Sequence, residues 1–324
     1  MKEESVNRFI NNRYCLLVMG LMAAVLSYFF HVSGIGHAPG GAGIWNTGIA
    51  GCSLWAVNAL TVLAVAVMMR VLDKNFAFVR EYTVIYAAYF LFSSLCNPSY
   101  SVGFPRAAAV NAVLMVCVWV LFSGYQQKGR RSFVFLISFV LSLCSLFDYS
   151  FLFYIPVFIL GFMQMKIFSF KGLLAILLGL AVPYWIACGS GMLAFDDLRF
   201  PRLVISKEKY LTEIGLSGLY RIILAVVVGS VLGSINLFKL MNYRMQLRSY
   251  NGFFTVLALL SIIFIVVDAT NFATYLMSLN ICVAYQVAHF FTTRKMRRGY
   301  ILFFFLILAN AACAVPELIS FFKS

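Results

Sequence analysis

Residues 130–166 have the sequence RRSFVFLISFVLSLCSLFDYSFLFYIPVFILGFMQMK, and this stretch decides the class of the protein. Basic residues stand at both ends, Asp148 stands in the middle, and all other side chains are uncharged. In hydrocarbon each backbone N–H and C=O must be satisfied within its own segment, which an α-helix achieves and a lone strand does not. The stretch therefore predicts two membrane-embedded helices that meet at a turn around Asp148.

The same pattern continues along the whole chain, which has 63% apolar and only 11% charged residues. No alternation of the kind found in membrane β-barrels is present. We therefore predict one all-α, polytopic transmembrane bundle over residues 1–324, with about eleven spans, a longer outer loop at 189–217 and no soluble domain. The predicted apolar segments are 14–32, 48–70, 82–96, 107–123, 132–147, 150–165, 172–188, 216–238, 252–267, 272–290 and 300–320.

The basic residues indicate the orientation, because 18 of the 25 Lys and Arg fall in six clusters. One cluster precedes the first apolar segment and the others occupy every second loop, so all six lie on the same side of the membrane. The positive-inside rule makes these clusters cytoplasmic, so we expect a cytoplasmic N-terminus and a C-terminus on the outer side of the membrane. The net charge of +14 then reflects loop bias and attraction to anionic lipid rather than nucleic-acid binding. The clusters are Lys2/Arg8/Arg13, Arg70/Lys74/Arg80, Lys128/Arg130/Arg131, Lys166/Lys171, Lys239/Arg244/Arg248 and Arg294/Lys295/Arg297/Arg298.

Several segments are short, and their lengths predict a recess on the outer side. A 16-residue helix reaches only about 24 Å, less than the roughly 30 Å hydrocarbon core. The short segments are paired at outer turns near Asn97–Pro98, Asp148–Tyr149 and Asp268. We expect these turns to lie below the outer surface, in a partly wet recess covered by the loop 189–217.

Two acids and two arginines next to apolar runs are the main candidates for function. Asp148, the candidate catalytic residue, and Asp268 either cap the following helix or take part in binding or acid–base chemistry. Arg106 and Arg221 either clamp a phosphate or carboxylate, or reach the headgroups and pair with an outer acid. His37, in the outer Gly-rich loop, is the candidate that titrates near neutral pH.

Metal and cofactor chemistry is not predicted. The eight cysteines form no CxxC pair, and no His stands at metal-ligand spacing. A disulfide among Cys52, Cys96 and Cys188 remains open. Gly229 and Gly233, four residues apart and each followed by Ser, predict a face for close helix packing.

Several motifs carry a resemblance to a known family. FDYSFLFYIP at 147–156, FSFKGLL at 168–174 and VPY at 182–184 resemble a family of uncharacterised multi-pass inner-membrane proteins of Gram-negative bacteria. Asn97–Pro98 and the stretch 268–271 fit the same pattern, which covers most of the chain. This resemblance implies a location in the bacterial inner membrane, so that the outer C-terminus would be periplasmic. The layout of short helix pairs is also similar to the membrane part of C-type glycosyltransferases, which use polyprenyl-phosphate sugars.

The second resemblance implies a recess for a lipid-linked or amphipathic ligand. Those enzymes carry an acidic catalytic residue in the first outer loop, whereas residues 33–47 contain no Asp or Glu. We therefore expect an accessory or assembly component of envelope biogenesis, whose partners are membrane lipids, a polyprenyl-phosphate-linked substrate or an envelope protein complex. The alternatives are an active glycosyltransferase, with Asp148 as base and Arg106 or Arg221 on the donor phosphate, and a transporter.

Overall fold

The computed structural model describes residues 13–33, 52–77, 79, 84–97, 105–127, 130–191, 207–240, 244–293 and 299–323. Within these residues the protein is helical and contains no strand. The helices are α1 (Arg13–Val32), α2 (Cys52–Phe76), α3 (Ile85–Leu95), α4 (Arg106–Ser123), α5 (Arg131–Ser145), α6 (Ser150–Gln164), α7 (Phe170–Gly189), α8 (Lys207–Leu240), α9 (Met245–Val267), α10 (Phe272–Thr293), α11 (Gly299–Ala312) and α12 (Val315–Lys323).

Each predicted apolar segment contains a helix, and the all-α membrane class is confirmed. The last segment, 300–320, holds two helices, α11 and α12, joined at Cys313–Ala314. Seven helical stretches of the described chain are long and apolar enough to cross a membrane. The prediction of about eleven spans and the orientation of the termini stay predictions. The seven stretches are Tyr14–Val32, Leu54–Phe76, Arg106–Ser123, Phe170–Gly189, Ile214–Phe238, Met245–Val267 and Ile301–Ile319.

The expectation of short helices is confirmed for α3, α5 and α6, which have 11, 15 and 15 residues. It is wrong for the third pair, because α9 has 23 residues and α10 has 22. The reason is that α9 begins at Met245, seven residues before its apolar run, and Gln, Leu and Arg in its first turn are good helix formers. Hydropathy marks only the apolar part of such a helix.

Helix α10 is the centre of the bundle and packs against α3, α4, α8 and α9. Every residue from Asn271 to Phe290 is buried, although the segment includes Thr274, Ser278, Gln286 and His289. A helix buried on all sides needs no polar face, and its Ser278 and Gln286 side chains pair with Asn111 of α4 and Asn236 of α8.

The outer helices show the opposite pattern and expose large apolar side chains. Leu21 and Val25 on α1 are 67% and 68% exposed, and Leu308 on α11 is 69% exposed. Apolar surfaces of this extent are unfavourable in water and suit a lipid environment. The structure therefore supports a protein that is solvated by a bilayer.

Close helix packing occurs where glycine removes the side chain. A Cβ added at Gly229 would lie 3.1 Å from Val283 Cγ2 on α10, so the predicted packing face is confirmed for this glycine. Ser230 and Ser234 are exposed and donate hydrogen bonds back to carbonyls of their own helix. The glycine side of α8, and not its serine side, therefore packs on the centre of the bundle.

One end of the bundle is held by aromatic packing. Phe122 and Tyr250 stack with ring centroids 4.3 Å apart, and Phe76 packs edge-on against both rings. These residues lie near the ends of α4, α9 and α2, beside basic residues that terminate or begin helices. The basic residues are Lys74, Arg130, Arg131, Lys166, Arg244 and Arg248.

The close approach of α7 to the backbone of α5 gives a stability prediction. A Cβ at Gly179 on α7 would lie 2.9 Å from the Phe135 carbonyl oxygen and 3.1 Å from the Phe139 backbone nitrogen of α5. Because backbone atoms cannot rotate away, Gly179→Ala should separate the two helices and lower stability by about 1–3 kcal/mol. Thermal unfolding of the detergent-solubilised protein measures the change.

The matched control is Gly189→Ala at the end of the same helix, where the added Cβ would meet only Trp185 Cδ1 at 3.9 Å. Its melting temperature should stay close to the wild-type value. Equal stability of the two variants would contradict the close α5–α7 contact.

Candidate functional site

Arg106 and Asp148 form a two-pronged ion pair, 42 positions apart in the sequence. Arg106 Nη2 donates to Asp148 Oδ1 at 2.7 Å, and Arg106 Nε donates to Oδ2. The Asp148 side chain is fully buried, whereas that of Arg106 is 22% exposed. The geometry matches the planar fork that guanidinium presents to a carboxylate. The structure therefore brings together two of the predicted site residues.

The turn between α5 and α6 holds Asp148 in place. Its Oδ1 accepts a 3.0 Å hydrogen bond from the backbone N–H of Ser150, the first residue of α6. Burial alone would raise the pKa of the Asp148 carboxyl, but the hydrogen bond and positive charge of Arg106 outweigh it, so this pKa lies below its ordinary value. Asp148 thus serves the start of α6 and the ion pair together, which confirms the capping explanation, and its role in binding or acid–base chemistry stays a prediction.

Asp268 is satisfied differently, by neutral donors. Its Oδ2 accepts from Asn271 Nδ2 at 2.7 Å and from the Tyr275 hydroxyl at 3.0 Å. Its Oδ1 accepts from the Thr270 hydroxyl at 2.5 Å and from the Tyr149 hydroxyl at 3.4 Å. These donors surround the 3₁₀ turn 269–271 that joins α9 to α10. The Asp268 side chain therefore fixes the turn before the central helix through side-chain donors, and it does not cap that helix through a backbone N–H.

Tyr149 connects the two acids. It follows Asp148 in the chain, and its hydroxyl also accepts a 2.5 Å hydrogen bond from Asn271 Nδ2. Arg106 lies close enough to Tyr149 and Tyr275 for electrostatic interaction. Arg106, Asp148 and Asp268 therefore belong to one polar cluster, which we call the outer cluster after the turns at Asp148 and Asp268 that the sequence predicts to be outer. Its members are Arg106, Asp148, Tyr149, Asp268, Thr270, Asn271 and Tyr275.

A second polar group lies deeper in the bundle, along the central helix. The Ser278 hydroxyl donates to Asn111 Oδ1 at 2.7 Å and lies 2.6 Å from the Tyr154 hydroxyl. Asn111 Nδ2 in turn donates to the Thr274 carbonyl at 3.0 Å. Ser278 is one turn beyond the helix position of Tyr275, so this group continues the polar contacts of α10 towards the bundle interior.

Arg221 has a different partner. It is only 5% exposed, and its Nη2 donates to the backbone carbonyl of Cys96 at 2.6 Å. Cys96 caps the C-terminus of α3, where a cation interacts favourably with the helix dipole. One turn earlier on α8, the Ser217 hydroxyl donates to the Glu317 carboxylate. Arg221 thus joins α8 to α3.

The remaining predicted features fall largely outside the described residues. His37 lies there, as do the Gly-rich loop around it and residues 192–206 of the predicted cover. Cys96 and Cys188 are free thiols, while the side chain of Cys52 is not among those described. The residues described contain no group of three or more His, Cys, Asp or Glu placed to hold a metal ion.

Sequence reasoning missed the neutral partners of the outer cluster. Tyr149, Thr270, Asn271 and Tyr275 flank the two predicted acids in the chain, and this adjacency was the available signal. An acid between apolar helices needs several hydrogen-bond donors, and nearby hydroxyl and amide residues supply them at the lowest entropic cost.

The chemistry of the outer cluster favours binding over proton transfer. Asp148 accepts three hydrogen bonds, two from Arg106 and one from Ser150 N–H. A general base needs a lone pair directed at its substrate. Arg106, by contrast, uses Nε and Nη2 for Asp148 and has no hydrogen bond from Nη1 within the part of the chain that the structure describes. This partly exposed guanidinium edge is the group that can meet a ligand.

No family model matches this chain, and neither a curated protein nor a solved structure is similar to it.

The ion pair gives a coupling prediction. Arg106→Gln and Asp148→Asn should each lower stability, by roughly 2–4 kcal/mol for a largely buried pair. The double variant should lose less than the sum of the two single losses, because neither partner is left with an unpaired charge. A double-mutant cycle on thermal unfolding in detergent measures this coupling, and strictly additive losses would contradict the pair.

Proposed function

We propose that the protein is an inner-membrane component of envelope biogenesis that binds a lipid-linked or amphipathic ligand at the outer cluster. It works as a glycosyltransferase-like scaffold in an accessory or assembly role. The observation that carries the proposal is the Nη1 edge of Arg106, partly exposed and held in a fixed orientation by Asp148. A guanidinium held this way suits a phosphate or carboxylate headgroup.

The surroundings of Arg106 support an amphipathic ligand. The helices that carry the cluster are apolar elsewhere, so a hydrocarbon chain has contact surface beside a polar headgroup site. The Asp268 carboxylate accepts hydrogen bonds from four donors of its own, which reduces the repulsion between this carboxylate and an anion bound at Arg106. The resemblance to C-type glycosyltransferases suggests the class of ligand, which is a polyprenyl-phosphate-linked substrate.

Two features support an accessory role over catalysis. The first outer loop lacks the acidic residue found in C-type glycosyltransferases, and Asp148 is engaged by three donors. An active glycosyltransferase with Asp148 as base is the rival. Under that rival Asp148→Asn would abolish glycan transfer per folded molecule, whereas unchanged glycan products per folded molecule support the accessory role.

A transporter is the second candidate, favoured by one observation. The central helix α10 carries the buried Ser278 hydroxyl, which contacts Asn111 of α4 and Tyr154 of α6. Polar groups inside a membrane-embedded bundle are a feature of transporters. Ligand flux into proteoliposomes distinguishes transport from binding alone.

Helix α7 provides a direct test of orientation, because exposed residues lie near both of its ends. Lys171 is in the first turn, and Ser190 follows the last residue, Gly189. In a variant without native cysteines, Ser190→Cys should react with a membrane-impermeant maleimide added to intact spheroplasts, and Lys171→Cys should react only after lysis. The reverse pattern would place the outer cluster on the cytoplasmic side.

Ligand binding is tested with a polyprenyl phosphate as the probe and native mass spectrometry as the measurement. We expect the wild-type protein to retain the lipid and Arg106→Gln to reduce retention by about tenfold, or 1.4 kcal/mol. Arg106→Lys, which keeps the charge, should restore part of the binding, and a cooperative thermal transition above the assay temperature shows that each variant is folded.

The control is Arg248→Gln, which removes an exposed cation at the opposite, aromatic end of the bundle. Its lipid retention should equal that of the wild type. Equal losses in Arg106→Gln and Arg248→Gln would show nonspecific charge attraction, and stoichiometric protein subunits without lipid would favour a purely structural component.

A further inference from the structure

Most polar hydrogens of the outer cluster are directed at members of the cluster itself. The Thr270 hydroxyl donates its hydrogen to Asp268 Oδ1 at 2.5 Å, and the Tyr275 hydroxyl donates to Asp268 Oδ2 at 3.0 Å. The amide of Asn271 donates one hydrogen to Asp268 Oδ2 at 2.7 Å and the other to the Tyr149 oxygen at 2.5 Å. These three side chains therefore have no polar hydrogen left for a ligand.

The hydrogen of the Tyr149 hydroxyl is engaged in the same way. This hydroxyl lies 3.1 Å from Thr270 Oγ1 and 3.4 Å from Asp268 Oδ1. Because Thr270 donates its own hydrogen to Asp268, Tyr149 is the donor in the contact between the two hydroxyls. A hydroxyl keeps acceptor lone pairs after it has donated its hydrogen. Towards a ligand, Tyr149 and Thr270 therefore present acceptors and no donor.

Exposure divides the cluster into a buried part and an accessible part. Asp268 and Asn271 are each 4% exposed, whereas the side chains of Tyr149 and Thr270 are only partly buried. The Arg106 guanidinium is also partly exposed and lies within electrostatic range of Tyr149. The accessible edge of the cluster thus has a donor half at Arg106 Nη1 and an acceptor half at the Tyr149 and Thr270 oxygens.

We infer that the outer cluster recognises a phosphodiester headgroup that carries a hydroxyl group beside the phosphate. The phosphate binds Arg106 Nη1, and the hydroxyl of the headgroup donates to the oxygen of Thr270 or Tyr149. A headgroup without a donor would displace water from these oxygens and leave them without a hydrogen bond, which lowers affinity. The hydroxyl therefore adds specificity to the charge attraction at Arg106.

The charges of the cluster favour a diester and a neutral donor. A phosphodiester carries one negative charge, which keeps its repulsion from the Asp148 and Asp268 carboxylates smaller than that of a more highly charged headgroup. The acceptors at Tyr149 and Thr270 are neutral oxygens. A neutral hydroxyl loses less hydration on leaving water than an ammonium does, so the hydroxyl is the better match for these acceptors.

This inference rests on the proposed ligand site at Arg106 and is tested with three decyl phosphodiesters that differ in the second ester group. The hydroxyethyl ester carries the donor, the propyl ester has nearly the same size without a donor, and the aminoethyl ester carries an ammonium. Binding of each ester to the purified protein in detergent at neutral pH is measured by native mass spectrometry. The wild-type protein should bind the hydroxyethyl ester about fivefold more tightly than either of the others.

Variants of the acceptor half should change this preference and leave the charge attraction in place. Thr270→Val and Tyr149→Phe should each lower the preference for the hydroxyethyl ester, while binding of the propyl ester persists through Arg106. Thr270→Ser, which keeps the hydroxyl, should retain the preference. The control is Thr255→Val on α9, where the hydroxyl donates to the Asn251 carbonyl of the same helix. Its preference should equal that of the wild type.

The outcomes separate this inference from the proposed function. If the wild type binds the hydroxyethyl and propyl esters equally and Arg106→Gln loses both, the inference is overturned and the ligand site at Arg106 stands. If the wild type binds no ester, both proposals are overturned. Tighter binding of the aminoethyl ester, or an unchanged preference in both Thr270→Val and Tyr149→Phe, would also overturn the inference. A cooperative thermal transition above the assay temperature shows that each variant is folded.

Discussion

A carboxylate removed from water must find its partners inside the protein, and this constraint organises one end of the bundle. Asp148 and Asp268 are 2% and 4% exposed, and an isolated charge at such burial would cost several kcal/mol. Asp148 is paired with a cation from the start of α4, and Asp268 with hydroxyl and amide groups from two turns. The contacts of these two side chains link α4, the α5–α6 turn, the α9–α10 turn and the central helix.

The positions of the helices were largely predictable from the sequence, because hydrocarbon solvation requires continuous apolar runs. Predicted and observed ends of α4 and α6 differ by one residue each. The start of α9 was predicted seven residues late, since polar residues continue a helix without adding to its hydropathy. Helix ends that extend into loops are therefore underestimated by apolarity alone.

The candidate site was only partly predictable. Arg106, Asp148 and Asp268 stood out because charges next to apolar segments are costly, and the structure places them in one cluster. The pairing of Arg106 with Asp148, however, depends on how α4 packs beside the α5–α6 turn, which no local pattern encodes. The separate location of Arg221 has the same origin, because its partner is a backbone carbonyl and any residue type supplies one.

The polarity of α10 also follows from its position. Outer helices gain from apolar side chains because lipid surrounds them, but a helix enclosed by protein gains from polar side chains that pair with fixed neighbours. Ser278 shows the consequence, since its single hydroxyl contacts Asn111 of α4 and Tyr154 of α6. Such contacts align the central helix with α4 and α6, the helices that flank Arg106 and Asp148. The Ser278 contacts therefore fix the two helices that begin beside Arg106 and Asp148, and Asp148 itself orients the Arg106 guanidinium.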